Sequence, residues 1–157
     1  MKIIGIDPGS HRCGYAILEK DTKRKINLID YGTIEVPPKT LFAESIIHIY
    51  DSLLDILDLH KPEISSVEEL FYFKNQKTVA AVYQTRGVIL LALSQKKIPI
   101  LEPTITQIKK GITGNGNADK KAVKLAIKMI LGIPELKGHD DSWDAIAAGF
   151  VGLAMIR

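Results

Sequence analysis

Five acidic residues lie where regular structure is predicted to begin or end. Asp7 closes the apolar run KIIGID and is followed by the turn-forming pair Pro-Gly. Glu68 and Glu69 lie near the end of the run ISSVEEL, and Asp141 and Asp144 stand three residues apart in DDSWDAIAAG, which sets both on one helix face. Carboxylates that converge in one pocket repel each other unless hard divalent cations lie among them, so the set indicates magnesium or manganese. Two such ions about 4 Å apart can activate water and stabilise the leaving oxygen of a phosphodiester.

Each acid also has a purely structural explanation. Asp-Pro-Gly makes a turn, paired acids at a strand end are often solvated, and acids in a first helical turn are favoured by the helix dipole. Asp140, four residues before Asp144, reaches the same face as Asp141, and the adjacent His139 has no assigned role, so the sequence leaves open which aspartate is the ligand. No cluster of Cys and His accompanies the acids, so zinc is not indicated.

The lysines are concentrated in one segment. Residues 104–128 carry a net charge of +5, from six lysines and Asp119, while the rest of the chain carries −2. A solvated helix face is the ordinary explanation of such a run. Beside an acidic metal pocket, however, the segment favours a polyanionic partner, with the acids holding metal and the lysines holding a nucleic-acid backbone.

Hydrophobic periodicity predicts the elements that must position these residues. Three β-rich runs joined by short polar turns predict an antiparallel meander, and the later runs alternate between strand and helix patterns. We therefore expect an α/β fold with a mixed five-stranded sheet flanked by helices. The predicted strands are 2–7, 13–20, 26–36, 64–70 and 98–103, and the predicted helices are 41–59, 78–95, 105–110, 118–131 and 140–156.

Alternation along the strands constrains the pocket. Ile3, Gly5 and Asp7 share one face of the first strand. Glu68 and Glu69 are adjacent and point to opposite faces, so only one of them can join Asp7.

Composition narrows the class of protein. Apolar residues make up 46% and charged residues 25% of the 157 residues, which is ordinary for one globular domain. The single cysteine, Cys13, excludes an intramolecular disulfide. The longest apolar stretch, 145–156, is shorter than the ~18 residues of a membrane span, and the N-terminal run shows no signal-peptide pattern. We expect a cytoplasmic protein.

Five segments together resemble the RuvC family of bacterial Holliday-junction resolvases: GIDPGSHRCGYAI, VEELFYFKNQKTV, QTRG, GNGNADKKAV and DDSWDAIAAG. The resemblance implies one RNase H-like nuclease domain over residues 1–157 that acts as a homodimer. It implies paired symmetric nicks in four-way DNA junctions during recombination and repair, leaving 5′-phosphate and 3′-hydroxyl ends. It also implies two Mg²⁺ ions per active site, with Mn²⁺ as a substitute, and a branch-migration complex of the RuvA–RuvB type as a partner.

Position by position, the resemblance assigns catalysis and metal binding to Asp7, Glu68, Asp141 and Asp144. It places Phe71 against unstacked bases at the junction centre, a contact worth ~1–3 kcal/mol per base. It implies DNA contacts from a set of lysines, in which Lys121 is a close alternative to Lys120: Lys74, Lys77, Lys109, Lys120 and Lys121. The helix containing AAVYQTRGVILLAL is the candidate for the two-fold contact of the homodimer, or else a core helix of the monomer.

Three other functions compete with this one. GIDPGS also resembles the phosphate-binding turn of the actin and sugar-kinase superfamily, but those proteins enclose ATP between two lobes and this chain has room for one. A smaller resolvase-like family acts in ribosomal RNA processing, and the FYFKNQ and ITGNGN segments favour the junction enzyme over it. A DNA-binding module without catalysis would not need all four acids.

Overall fold

The computed structural model describes residues 1–70, 76–135 and 137–156, with only the backbone of residues 76–78. Strands and helices follow the predicted order, which confirms the α/β class. Their bounds are β1 (Lys2–Asp7), β2 (Arg12–Lys20), β3 (Ile26–Glu35), α1 (Phe42–His60), β4 (Ile64–Val67), α2 (Gln76–Gln95), β5 (Ile100–Leu101), α3 (Ile105–Thr113), α4 (Lys120–Leu131) and α5 (Asp140–Met155). Within the described residues no helix has the length and apolar character needed to cross a membrane.

The strands form one mixed sheet in the order β3-β2-β1-β4-β5. The pairs β1–β2 and β2–β3 are antiparallel, as the meander predicts, and β4 and β5 join in parallel. Both of these later strands are shorter than predicted. The strand at 64–70 ends at Val67 because Glu69 pairs with Thr104 only through an isolated bridge, and β5 keeps just two residues.

The helices that carry the lysines begin and end at clear signals. Thr104 and Gln107 form a capping box at the start of α3, and Gly114 ends that helix in the left-handed conformation, three residues later than predicted. Asp119 caps α4 by accepting a hydrogen bond from the backbone N–H of Ala122. These caps fix where α3 and α4 begin and so fix the positions of the lysines along each helix.

Each face of the sheet buries its own hydrophobic layer. Ile3 belongs to the layer beneath α5, together with residues of α3 and α4. Ile4 and Ile6, which alternate with Ile3 along β1, belong to the layer beneath α1 and α2. Asp7 therefore lies on the α5 face, as the alternation predicts.

The backbone of α5 touches the sheet directly where β1 and β2 carry glycines. A Cβ at Gly5 would lie 2.1 Å from the carbonyl oxygen of Ala145, and a Cβ at Gly14 would lie 1.9 Å from that of Asp141. The hydroxyl of Ser66 on β4 also donates to the carbonyl of Ala148 at 2.7 Å. The start of α5 is thereby held over the end of β1, where Asp7 lies.

We predict that Gly5→Ala destabilises the protein by about 3 kcal/mol or more, because its Cβ cannot be accommodated without moving α5. Guanidinium unfolding measures this loss. The matched control is Gly87→Ala in α2, where a Cβ would meet no atom within 4 Å. Alanine there is expected to be neutral or stabilising by up to about 1 kcal/mol. Equal unfolding free energies for the two variants would contradict the close contact.

Candidate active site

A cavity of about 390 Å³ opens where β1 ends beneath the start of α5. Acids from three distant parts of the chain line it together with two lysines: Asp7, Glu68, Asp141, Asp144, Lys109 and Lys120. The rest of its wall is apolar, formed by Ile105, Ile108, Val123 and Ala147. The fold thus brings the four predicted acids to one place.

Glu68 enters the cavity because the alternation of β4 continues one residue past the strand. Its N–H donates to the carbonyl of Ile6 at 3.1 Å, which extends the pairing with β1. Since Ser66 faces α5, Glu68 faces the same side. Glu69 instead donates its N–H to Pro103 at 3.0 Å and does not line the cavity.

The two neighbouring aspartates at the start of α5 have different surroundings. Asp141 lines the cavity, and its carboxylate lies 3.7 Å from Nε of Arg12. Asp140 accepts a hydrogen bond from Lys124 at 2.5 Å, and this bond holds its pKa below the ordinary value. His139 contacts Arg12 at 2.9 Å and Glu35 at 2.8 Å. Asp141, rather than Asp140 or His139, therefore faces the other acids.

Burial and mutual repulsion raise the pKa values of three cavity acids. Burial, followed by the charges of Glu68, Asp144 and Asp141, raises the pKa of Asp7 well above its ordinary value. Burial and the charge of Asp144 raise the pKa of Glu68 to about 7, although Lys120 and Lys109 lower it. Burial also raises the pKa of Asp144, against the opposing hydrogen bond from Lys120. The cavity accumulates more negative charge than its own lysines neutralise.

Lys120 is paired with one of these acids. Its Nζ lies 3.1 Å from Oδ2 of Asp144. Burial lowers the pKa of Lys120, but the hydrogen bond and charge of Asp144, with the charges of Asp140 and Asp7, raise it overall. Lys120 is therefore a cation inside the acidic cavity.

The donor set fits hard divalent cations. Across the described ranges, no three Asp, Glu, His or Cys side chains are already grouped so as to hold an ion, and Lys120 occupies one side of Asp144. The ionisable groups of the lining are nevertheless carboxylates and lysines, and carboxylate oxygens are the ligands that Mg²⁺ and Mn²⁺ prefer. A cation among these acids would relieve the repulsion that raises their pKa values.

The predicted DNA-contacting residues fall into three groups. Lys109 and Lys120 line the cavity, and Lys121 is exposed on α4 outside it. Phe71 and Lys74 lie outside the described residues, as does the side chain of Lys77. Their predicted roles stay predictions.

Part of the lysine segment is engaged within the protein. Nζ of Lys124 lies 4.3 Å from the centre of the Trp143 ring, and that of Lys128 lies 5.9 Å from it. Lys124 also pairs with Asp140. These contacts between α4 and α5 leave the lysines at the cavity as the clearer candidates for binding phosphate.

Sequence reasoning missed Arg12 as a neighbour of the site. It lies five residues after Asp7 and far from Asp141 along the chain, and no motif links the two. The antiparallel pairing of Asp7 with Gly14 brings the start of β2 beside α5 and so brings Arg12 to Asp141.

The chain matches the family model of crossover junction endodeoxyribonuclease RuvC over residues 3–151. It is 44% identical over 147 residues to the crossover junction endodeoxyribonuclease RuvC of Fusobacterium nucleatum, covering 94% of this chain and 77% of that protein. It is 40% identical over 157 residues to the protein of the same name from Syntrophomonas wolfei, covering 100% and 91%.

The chain is also similar in fold to solved structures of Holliday-junction resolvases. The structure of T. thermophilus RuvC in complex with Holliday junction substrate has a TM-score of 0.89 and 26% identity, covering 96% of this chain and 92% of that one. The yeast mitochondrial Holliday junction resolvase, at 14% identity and a TM-score of 0.69, covers 98% and 78% and shares the fold. The mixed sheet of this chain is thus of the RNase H-like kind, as predicted.

We predict that Glu68→Gln stabilises the metal-free protein in neutral and basic solution. The folded state has a pKa of about 7 at Glu68 against an ordinary value of 4.5, so it binds more protons than the unfolded state between these values. Stability therefore falls as the pH rises through this window, by up to about 3 kcal/mol from this group. Glutamine at position 68 does not ionise, so the variant does not undergo this loss of stability. Thermal unfolding in EDTA at about pH 4 and pH 8 measures it.

The control for this variant is Glu135→Gln, an exposed acid outside the cavity. Glu135→Gln should leave the midpoint temperature of thermal unfolding unchanged at both pH values. A Glu68→Gln midpoint that equals the wild type at high pH would contradict the crowding of charge in the cavity.

Proposed function

The chain belongs to the RuvC family of crossover junction endodeoxyribonucleases, and on this premise we propose that it resolves four-way DNA junctions by paired symmetric nicks. The observation that carries the proposal is the single cavity in which Asp7, Glu68, Asp141 and Asp144 meet beside Lys109 and Lys120. A kinase of the actin superfamily would leave most of these residues without a role. A binding module without catalysis would not bury repelling acids at a cost in stability.

The substrate follows from the relatives. T. thermophilus RuvC is described in complex with a Holliday junction, and this chain shares its fold over nearly the full length. The proposed role is in DNA recombination and repair, and the proposed location is the cytoplasm. A branch-migration complex of the RuvA–RuvB type is the partner that the family implies.

The reaction is hydrolysis of a phosphodiester. A water oxygen bonds to phosphorus, the bond from phosphorus to the 3′ oxygen breaks, and that oxygen leaves as a 3′-hydroxyl while the phosphate stays on the 5′ end. Asp7, Glu68, Asp141 and Asp144 would hold the divalent cations, two Mg²⁺ ions in our proposal or Mn²⁺ in their place. Such ions, when bound, supply water activation and stabilise charge on the phosphate and leaving oxygen.

The lysines of the cavity have a separate task. Nζ of Lys120 lies 3.1 Å from Asp144, and 65% of the Lys120 side chain remains exposed to solvent. A phosphate group of bound DNA is an alternative to the carboxylates as a partner for Lys109 and Lys120. These two lysines would therefore orient the DNA backbone beside the acids of the cavity. Phe71, outside the described residues, keeps its predicted role in stacking on junction bases.

Two identical sites suit a junction with two equivalent strands, so we propose a homodimer. The exposed side of α2 carries residues at helical spacing, with small side chains among them: Ala80, Gln84, Gly87 and Leu91. Leu91 is 52% exposed, and a Cβ at Gly87 would meet nothing within 4 Å. The opposite side of α2 buries Ile89, Ala92 and Leu93, so the helix serves both the core and the proposed contact.

We predict that Asp7→Asn retains junction binding and loses cleavage at least about 100-fold, because metal contributions are worth several kcal/mol and about 1.4 kcal/mol is tenfold. Single-turnover nicking and gel-shift affinity are measured with magnesium on a four-way junction, a linear duplex and an RNA hairpin. Asp58→Asn, an exposed acid paired with Lys96, is the control. Preferred cleavage of the hairpin would favour the RNA-processing function instead.

We predict that Leu91→Glu weakens the homodimer, because two like charges would face each other across the two-fold axis. Sedimentation velocity measures the association. On a supercoiled plasmid with an extruded cruciform, the variant should release more nicked circles relative to linear molecules than the wild type. Leu59→Glu, at a leucine 75% exposed on α1, is the control. An unchanged sedimentation coefficient for Leu91→Glu would move the interface away from α2.

A further inference from the structure

Two side chains of α2 hold the backbone that carries Glu68. Nε of Arg86 donates to the carbonyl oxygen of Glu68 at 3.3 Å, and the hydroxyl of Tyr83 donates to that of Leu70 at 2.7 Å. Tyr83 and Arg86 are three residues apart and share one face of the helix. They therefore contact alternate carbonyls of the segment that leaves β4.

This segment has left the regular sheet but remains fixed. β4 ends at Val67. The N–H of Glu68 donates to Ile6 on one side, while its carbonyl accepts from Arg86 on the other. Side chains of α2 thus supply donors where the strand has ended. Glu68 is bound at both its N–H and its carbonyl.

Arg86 is itself held in place. Its guanidinium pairs with the carboxylate of Glu102, just after β5, and only 13% of its side chain is exposed. A nearly buried guanidinium needs such a partner, and its planar fork can serve two acceptors at once. The observed contact of Arg86 with Glu68 is to its backbone carbonyl, while the guanidinium pairs with the carboxylate of Glu102. Arg86 therefore acts on Glu68 through the backbone.

We propose that Arg86 is a positioning residue for Glu68, bridging Glu102 and the Glu68 carbonyl so that the carboxylate points into the cavity. The inference rests on the proposed function, in which Glu68 is a metal ligand. It adds that α2, the proposed dimer helix, is tied directly to the cleavage site. The QTRG motif, which contains Arg86, thereby gains a physical role.

The test replaces Arg86 with methionine, which keeps the apolar stem of the side chain and removes the guanidinium that makes both contacts. We expect the affinity for Mn²⁺, measured by electron paramagnetic resonance without DNA, to fall roughly 10–100-fold, as for other groups that orient metal ligands. Single-turnover cleavage at limiting Mn²⁺ should fall in parallel and recover as Mn²⁺ is raised. Affinity for the junction should not change. A merely structural defect would lower cleavage at every metal concentration.

The control is Lys96→Met, which breaks the ion pair with Asp58 just past the end of α2, away from the cavity. It should match the wild type in metal affinity and cleavage. Glu102→Gln removes only the charge that holds Arg86 and should lose less than Arg86→Met. Arg86→Lys keeps a cation with one donor nitrogen, so its metal affinity should fall between those of the wild type and Arg86→Met. If circular dichroism shows that Arg86→Met is unfolded, Arg86→Lys replaces it in the test.

Wild-type metal affinity and cleavage in Arg86→Met, or in Arg86→Lys where it is the variant used, overturns the positioning role. Loss of junction affinity with unchanged metal affinity also overturns it, because Arg86 would then be a DNA contact. Failure of the wild type to cleave junctions at any metal concentration defeats the proposed function instead. That result is distinct, since it appears before any variant is compared.

Discussion

The direct contact between the backbone of α5 and strands β1 and β2 is the constraint on which the site depends. Gly5 and Gly14 leave no room for even one methyl group beneath the helix. Because the helix lies so close, its first two turns bring Asp141 and Asp144 to the end of β1, where Asp7 lies. A helix held at the usual distance by larger side chains would carry these acids away from the sheet. Backbone contact thus sets the size of the cavity.

The cavity that results is unfavourable for the protein alone. Burial, and after it the charges of neighbouring acids, raise the pKa values of Asp7 and Glu68, although Lys120 and Lys109 lower that of Glu68. Such a cost is tolerated where charge has a use, as at a site that takes up cations and a polyanion. The large apolar layers on both faces of the sheet supply the stability that absorbs it.

Much of this arrangement could be predicted from residue patterns. Alternation along β1 placed Asp7 on the face of Gly5, and motif order placed the later acids with it. The choice between Asp140 and Asp141 could not be made, because three and four residues are equivalent spacings on a helix until Lys124 pairs with Asp140. The early end of β4 and the contact of Arg86 with Glu68 were also missed. The end of β4 depends on how Glu69 meets Thr104, and the contact of Arg86 depends on where α2 lies. No local pattern encodes either of these tertiary positions.

The chain has one tryptophan, Trp143, which lies between Asp141 and Asp144 in sequence and packs beneath Lys124. Its indole ring therefore lies at the contact between α4 and α5. Tryptophan fluorescence depends on the distance of a positive charge from the ring. A movement of α4, which carries Lys124, relative to α5 should thus change the fluorescence of the unlabelled protein.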